Sequence, residues 1–194
     1  MLIDIALILN IIIILLEAYA LLSIKHKAHI FKYYTYLQNF ITLLISILFS
    51  AFYFFEIFEF IKGLRYVATC GLISTMIIYA LFLRKENIIS KEDVLNNVNP
   101  KIINIFLHYI CPILSLVSFV FFEREIVLEN GIWTMIVNIP SIAYWGIYIV
   151  LSSAKKWQEP YKFSNNKNKW VEAFVYIAIP LIFIMICIIL WNIK

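Results

Sequence analysis

Thr35 and His108 are the two side chains in this sequence that could do chemistry together. A hydroxyl is a poor nucleophile until a neighbouring imidazole takes its proton. A carboxylate could orient that imidazole, as the third member of a hydrolase triad does, and Glu17 and Glu172 are the candidates. The surrounding spacing gives the pair a context. Thr35, Gln38, Asn39, Thr42, Ser46 and Ser50 step by threes and fours, and so do Asn104, His108, Cys111, Ser115 and Ser118. A third set contains Thr134, Asn138, Ser141, Tyr144 and Tyr148. Each set is one stripe along a helix. The structural alternative stands beside the chemical one, because a threonine in an apolar helix usually bonds its own backbone or a neighbouring helix. An ionisable imidazole at that depth is rarer and points more strongly to function.

The elements that must position these residues are apolar. Of 194 residues, 63% are hydrophobic and only 14% charged, and the mean hydropathy is +0.90. That composition lies outside the soluble globular range. Runs of about twenty apolar residues match the length a helix needs to cross a hydrocarbon core of roughly 30 Å. The sequence predicts six, over 2–24, 31–58, 66–83, 102–122, 132–151 and 170–193, which together make one all-α domain, a polytopic six-helix membrane bundle with no separate soluble unit. The first run carries Asp4 and no early basic residue, while Lys25, Lys27 and Lys32 follow it, so it reads as an uncleaved anchor. The second is longer than one span requires and can tilt. The third is entered through Gly63, with Thr69, Ser74 and Thr75 expected to bond between helices. Asn96, Asn97 and Pro100 mark turn chemistry before the fourth run, and Pro112 should loosen the backbone beside His108. The sixth is polar only near Glu172 and Tyr176 and otherwise reads as lipid-facing.

Charge sets the expected orientation. The connections after the first, third and fifth runs hold twelve Lys and Arg residues; the opposite side holds Lys62, Arg65, Arg124 and Lys194. By the positive-inside rule the three basic connections are cytoplasmic and both termini outside, as expected of an integral plasma-membrane protein. At about 1.5 Å per residue, Thr35 and Asn39 then lie roughly 6–12 Å into their run and His108 about 9 Å into its own, measured from the cytoplasmic end. Glu17, Tyr148, Glu172 and Tyr176 approach the same layer from other helices.

Other signals carry less. His26 and His29 could share a metal by spacing, but they sit in a basic connection without acidic or thiol partners and read as solvated. Cys70, Cys111 and Cys187 are odd in number and lie in apolar runs, so a disulfide framework is not indicated. Cys111, one turn from His108, is an alternative nucleophile and otherwise a packed small residue. No aromatic-basic nucleic-acid signature and no serine-hydrolase, zinc-protease or phosphate-loop motif occurs.

Three short motifs carry a resemblance. Phe31-x-x-Tyr34-Thr35-x-x-x-Asn39, His108-x-x-x-Pro112, and Tyr144-x-x-x-Tyr148 followed by Pro160-Tyr161-x-Phe163 resemble, in matching order, the androgen-induced protein family and its microbial six-helix relatives. That resemblance implies an intramembrane hydrolase that cleaves fatty acid esters of hydroxy fatty acids, with Thr35 as nucleophile and His108 as base. Gln38, Asn39, Tyr144 and Tyr148 would contact the substrate or its oxyanion. The ester would enter from the bilayer, and no metal or cofactor is required. The rival readings are a lipid- or solute-binding or transport protein, and an acyltransferase using the same site.

Overall fold

The computed structural model describes residues 2–25, 33–54, 59–83, 89, 91–123, 131–153 and 169–193. Among these residues the regular elements are all helical, joined by turns, and an isolated antiparallel bridge pairs Ile24 with Val94. Helix α1 is Leu2–Leu22 and α2 is Tyr34–Ala51; α3, Glu59–Ile78, runs on through a π turn at Tyr79–Leu83. Helix α4 spans Pro100–Phe122 with π turns at Phe106–Ile110 and Ser118–Phe122. Then come the short α5 (Ile132–Ile136), α6 (Asn138–Ser153) and α7 (Lys169–Ile193). Among the described residues five stretches are long and apolar enough to cross a membrane: Ile5–Leu22, Tyr34–Ala51, Phe60–Leu83, Pro100–Phe122 and Ile132–Leu151. A shorter apolar stretch, Ile177–Ile193, lies in α7.

Burial is distributed as these lengths suggest. Leu15, Leu22, Phe60, Leu81, Met135 and Val150 are among many large apolar side chains on the surface, whereas Asn10, Glu17, Asn39, Arg65 and His108 are fully enclosed. An exposed apolar patch on this scale marks a surface that something other than water covers. Helices α1 to α4 form the centre, α7 packs along α3, and α6 packs against α7. Paired contacts fix directions. Asn10 meets Ser118 and Tyr19 meets Phe106, so α1 and α4 are antiparallel. Arg65 meets Glu123 and Tyr79 meets His108, so α3 opposes α4.

Local chemistry explains the irregularities. Asn99 accepts from the Lys101 N–H at 3.0 Å and Pro100 takes the first helical position, a well-formed start for α4. Pro112 has no N–H for the His108 carbonyl, and the turn before it widens until the Cys111 N–H reaches the Phe106 carbonyl. At the far end the Glu123 N–H bonds the Ser118 carbonyl at 3.0 Å, again five residues back. The fifth predicted run is interrupted at Val137, because Pro140 supplies no N–H for the Ile136 carbonyl.

Several boundaries differ from the sequence reading. The second run was expected over 31–58, but helix occupies Tyr34–Ala51, entered from an extended Tyr33 and leaving through Phe52. The third was expected from 66, yet α3 begins at Glu59 and takes in Gly63 and Arg65, because the charge of Arg65 is answered inside the bundle. Of the three hydroxyls expected to join helices, Thr69 does so, to Ser115 at 2.9 Å. Ser74 and Thr75 instead donate to carbonyls of their own helix, Cys70 and Leu72. Helix α7 is not wholly outward-facing: Ile179, Phe183, Ile186, Cys187 and Leu190 form a buried stripe.

Gly71 sets how closely α2 and α3 approach, since a Cβ there would occupy the space of the Gln38 amide. Gly71→Ala should therefore push Gln38 away and cost about 1–3 kcal/mol by overpacking. A clear fall in the thermal unfolding midpoint in detergent is the expected result.

Candidate functional site

Helix α4 carries a polar face through the length of the bundle, and its two ends differ in how their side chains are satisfied. At the end nearer Thr35, the His108 ring is fully buried and stacks on Tyr79, with centroids 3.9 Å apart and planes 18° apart. Tyr79 is held by Asn104, whose Nδ2 donates to its hydroxyl at 2.6 Å. Neither ring nitrogen of His108 has a hydrogen-bond partner among the described residues. Asn39 lies close by: its Nδ2 donates to the Thr35 carbonyl at 2.8 Å and to the Leu107 carbonyl at 3.4 Å, leaving Oδ1 unpartnered. Gln38 accepts from the Tyr34 hydroxyl at 3.3 Å, and its Nε2 is unpartnered where it rests on Gly71.

An aromatic wall closes one side. The Tyr34 hydroxyl shares a 2.9 Å hydrogen bond with Ser141, and its ring lies 5.0 Å from Tyr144 and 5.4 Å from Phe183. Tyr144 stacks at 6.4 Å on Tyr148, which is completely buried. Gln38, Tyr144 and Tyr148, on α2 and α6, thus converge through Tyr34.

Thr35 and His108 occupy neighbouring helices without a hydrogen bond between them. Gln38 against Gly71 and Phe49 against Arg65 make α2 antiparallel to α3, hence parallel to α4. The same Asn39 Nδ2 reaches both the Thr35 and the Leu107 carbonyls, so Thr35 and Leu107 lie at similar levels, with His108 one residue, or about 1.5 Å of rise, further along. Asn39 thus bridges the two backbones. Glu17 is fully buried in α1, near enough to Cys111 and Arg65 to interact electrostatically, and neither of its oxygens has a hydrogen-bond partner among the described residues. It is not joined to the imidazole. The side chains of Glu172 and Tyr176 lie outside the described residues, as do His26, His29, Phe31 and Pro160–Phe163. Among the described residues no three His, Cys, Asp or Glu side chains cluster as metal ligands would.

The opposite end holds a network that the sequence reading missed. Arg65 donates to Glu123 through Nε at 3.2 Å and Nη2 at 2.7 Å, with both side chains fully enclosed. Ser118 donates to the same carboxylate at 2.6 Å and Asn10 at 3.2 Å, and Arg65 lies 5.5 Å from the centre of the Phe49 ring. Arg65 had been counted among loop charges. Glu123 fell outside the stripe because its step from Ser118 is five; the π turn adds the residue that returns it to the same face. A charged residue five beyond the last member of a polar stripe was the available signal. Tyr79 was missed because nothing in α3 alone marks it as the surface against which His108 stacks.

Comparison of the chain with known protein families, with characterised proteins and with solved structures gives no match.

Removing one partner of a buried pair leaves an uncompensated charge, whereas replacing both with apolar groups of similar size does not. Arg65→Met or Glu123→Leu alone should cost about 3–5 kcal/mol, and the double variant should recover most of that loss. Thermal unfolding of the four proteins in one detergent checks this.

Proposed function

We propose that the chain is a polytopic membrane protein, a six-helix bundle in the plasma membrane, that hydrolyses long-chain fatty acyl esters at the His108 layer. The observation that carries this reading is a buried imidazole whose nitrogens both lack partners among the described residues, next to the incompletely satisfied amide of Asn39, with that of Gln38 on the same buried face of α2. Buried polar groups normally find partners, and those that do not mark places where a ligand or a reacting group supplies them. The apolar outer faces of the helices support embedding in lipid, and with Arg65 drawn inside, the basic bias strengthens to twelve against three in favour of a cytoplasmic Thr35 end.

In this mechanism the ester enters sideways between apolar helix faces. His108 takes the proton of Thr35 as the hydroxyl attacks the ester carbonyl, and Gln38 or Asn39 donates to the oxyanion. Tyr144 and Tyr148 line the acyl path. His108 returns the proton to the leaving alkoxide, and water admitted from the nearby surface then releases the acyl group. Substrate binding must draw Thr35 and His108 together, a tightening that catalytic hydrogen bonds often undergo between free and bound enzyme. The motif resemblance at Thr35, Asn39, His108 and Pro112 supports the same assignment. Transfer of the acyl group to a lipid instead of water would use the same acyl-threonine. A second reading, a lipid-binding site without chemistry, is favoured by the missing Thr35–His108 hydrogen bond.

Fluorophosphonate labelling of the purified protein, with mass spectrometry of the labelled peptide, separates these readings. The hydrolase reading expects an adduct on Thr35 that falls at least tenfold in Thr35→Ala and in His108→Ala. Folded wild-type protein that takes no label, yet binds a long-chain ester saturably and loses that binding in His108→Ala, supports the binding site.

A further inference from the structure

We propose that Glu17 is a buried proton-binding site, and that the choice of Arg65 between Glu123 and Glu17 decides whether the proton is held. This site is separate from the Thr35–His108 chemistry and stands whether or not that reading holds.

A guanidinium is always protonated, so Arg65 contributes one positive charge inside the bundle. Glu123 answers it with both oxygens and also accepts from Ser118 and Asn10, an acceptor role that only the ionised carboxylate fills at all these contacts. Arg65 and Glu123 are therefore neutral as a pair, and among the described residues Glu17 has no ion-pair partner of its own. Glu17 is fully enclosed and neither oxygen has a hydrogen-bond partner among the described residues. An ionised carboxylate so placed would cost far more than the whole stability of a domain, and such groups neutralise by taking a proton. The carboxyl O–H is the only bond formed.

The groups around Glu17 supply the means of release. The contacts of α1 with α4 bracket Glu17 opposite the 108–111 turn of α4, close enough to Cys111 to interact electrostatically. Side chains lean toward the start of their own helix, so Glu17 leans toward Arg65, whereas His108, on the antiparallel α4, leans the other way. Among the described residues, buried Arg65 Nη1 has no partner, a donor available to a second carboxylate, and neither has Asn10 Oδ1 in the same region. From α2 the titratable neighbour is Tyr36, packed with Ala20 and Leu21 one turn away; from α4 they are Cys111, His108 and Glu123; from α3 it is Arg65. When Arg65 leaves Glu123 it can form a charged pair with Glu17, which then gives up its proton, so the two carboxylates exchange one positive charge in alternate states. That is the arrangement expected where proton uptake is coupled to another event in the bundle.

Infrared difference spectroscopy of the protein in lipid nanodiscs tests this. At neutral pH the wild type should show the carbonyl stretch of a protonated carboxyl in a dry environment, equally in sodium and in choline buffer. The band should vanish in Glu17→Gln, which should keep the wild-type unfolding midpoint because its amide mimics a neutral carboxyl. Glu17→Asp should keep a displaced band. Glu123→Gln should lose most of the band, because Arg65 is then free to pair with Glu17. A wild-type spectrum without the band, a band unchanged in Glu17→Gln or in Glu123→Gln, or a band abolished by sodium would overturn the proposal, the last by showing a metal cation where the proton was placed.

Discussion

The buried ion pair between Arg65 and Glu123 ties together the four helices at the centre of this molecule. It links α3 to the end of α4, Asn10 brings α1 to the same carboxylate, and Phe49 of α2 packs beneath the guanidinium. Four helices therefore meet at one charge. The physical constraint behind this is simple: polar groups among apolar helices have no solvent to turn to and must be answered from within. Once Arg65 is enclosed, Glu123 must reach it, and Ser118 and Asn10 must satisfy what remains of Glu123.

That requirement also accounts for the irregular path of α4. A regular helix cannot hold Ser118 and Glu123 on one face, and an uninterrupted one is not available beside Pro112. Two π turns resolve both conflicts, one placing the His108 ring on Tyr79, the other returning Glu123 to the polar face. Single π turns in otherwise regular helices often accompany functional positions, and here each lies at one of the two polar layers.

The contrast between those layers separates structural polarity from polarity that awaits a partner. Around Glu123 the carboxylate is answered by Arg65, Ser118 and Asn10, as expected of a network that fixes helix positions, while Arg65 Nη1 and Asn10 Oδ1 lack partners among the described residues. In the His108 layer the imidazole, one oxygen of Asn39 and, along the same face of α2, the amide nitrogen of Gln38 are buried without partners among the described residues, and Tyr34, Tyr144 and Tyr148 form an aromatic wall on one side. Glu17 is associated with neither by a hydrogen bond among the described residues. A protein that needed only rigidity would gain from filling these positions with apolar side chains.

Much of this was legible in the amino-acid sequence. Length and composition determined the all-helical class and the approximate positions of the apolar helices, because a stretch of twenty apolar residues has few other solutions. The three- and four-residue steps placed Thr35, Gln38 and Asn39 on one buried face and His108, Cys111 and Ser115 on another, since helical periodicity is a local property. Tertiary structure alone decided which polar residues meet. Arg65 looks like a loop charge until Glu123 is seen to reach it, and Glu123 leaves the stripe until a π turn restores its phase. Glu17, which spacing offered to His108, has no hydrogen bond to it and interacts electrostatically with Arg65, and Asn39 makes a contact between Thr35 and α4. Such pairings depend on how helices are set against one another along their axes, and no periodicity within one helix records that offset.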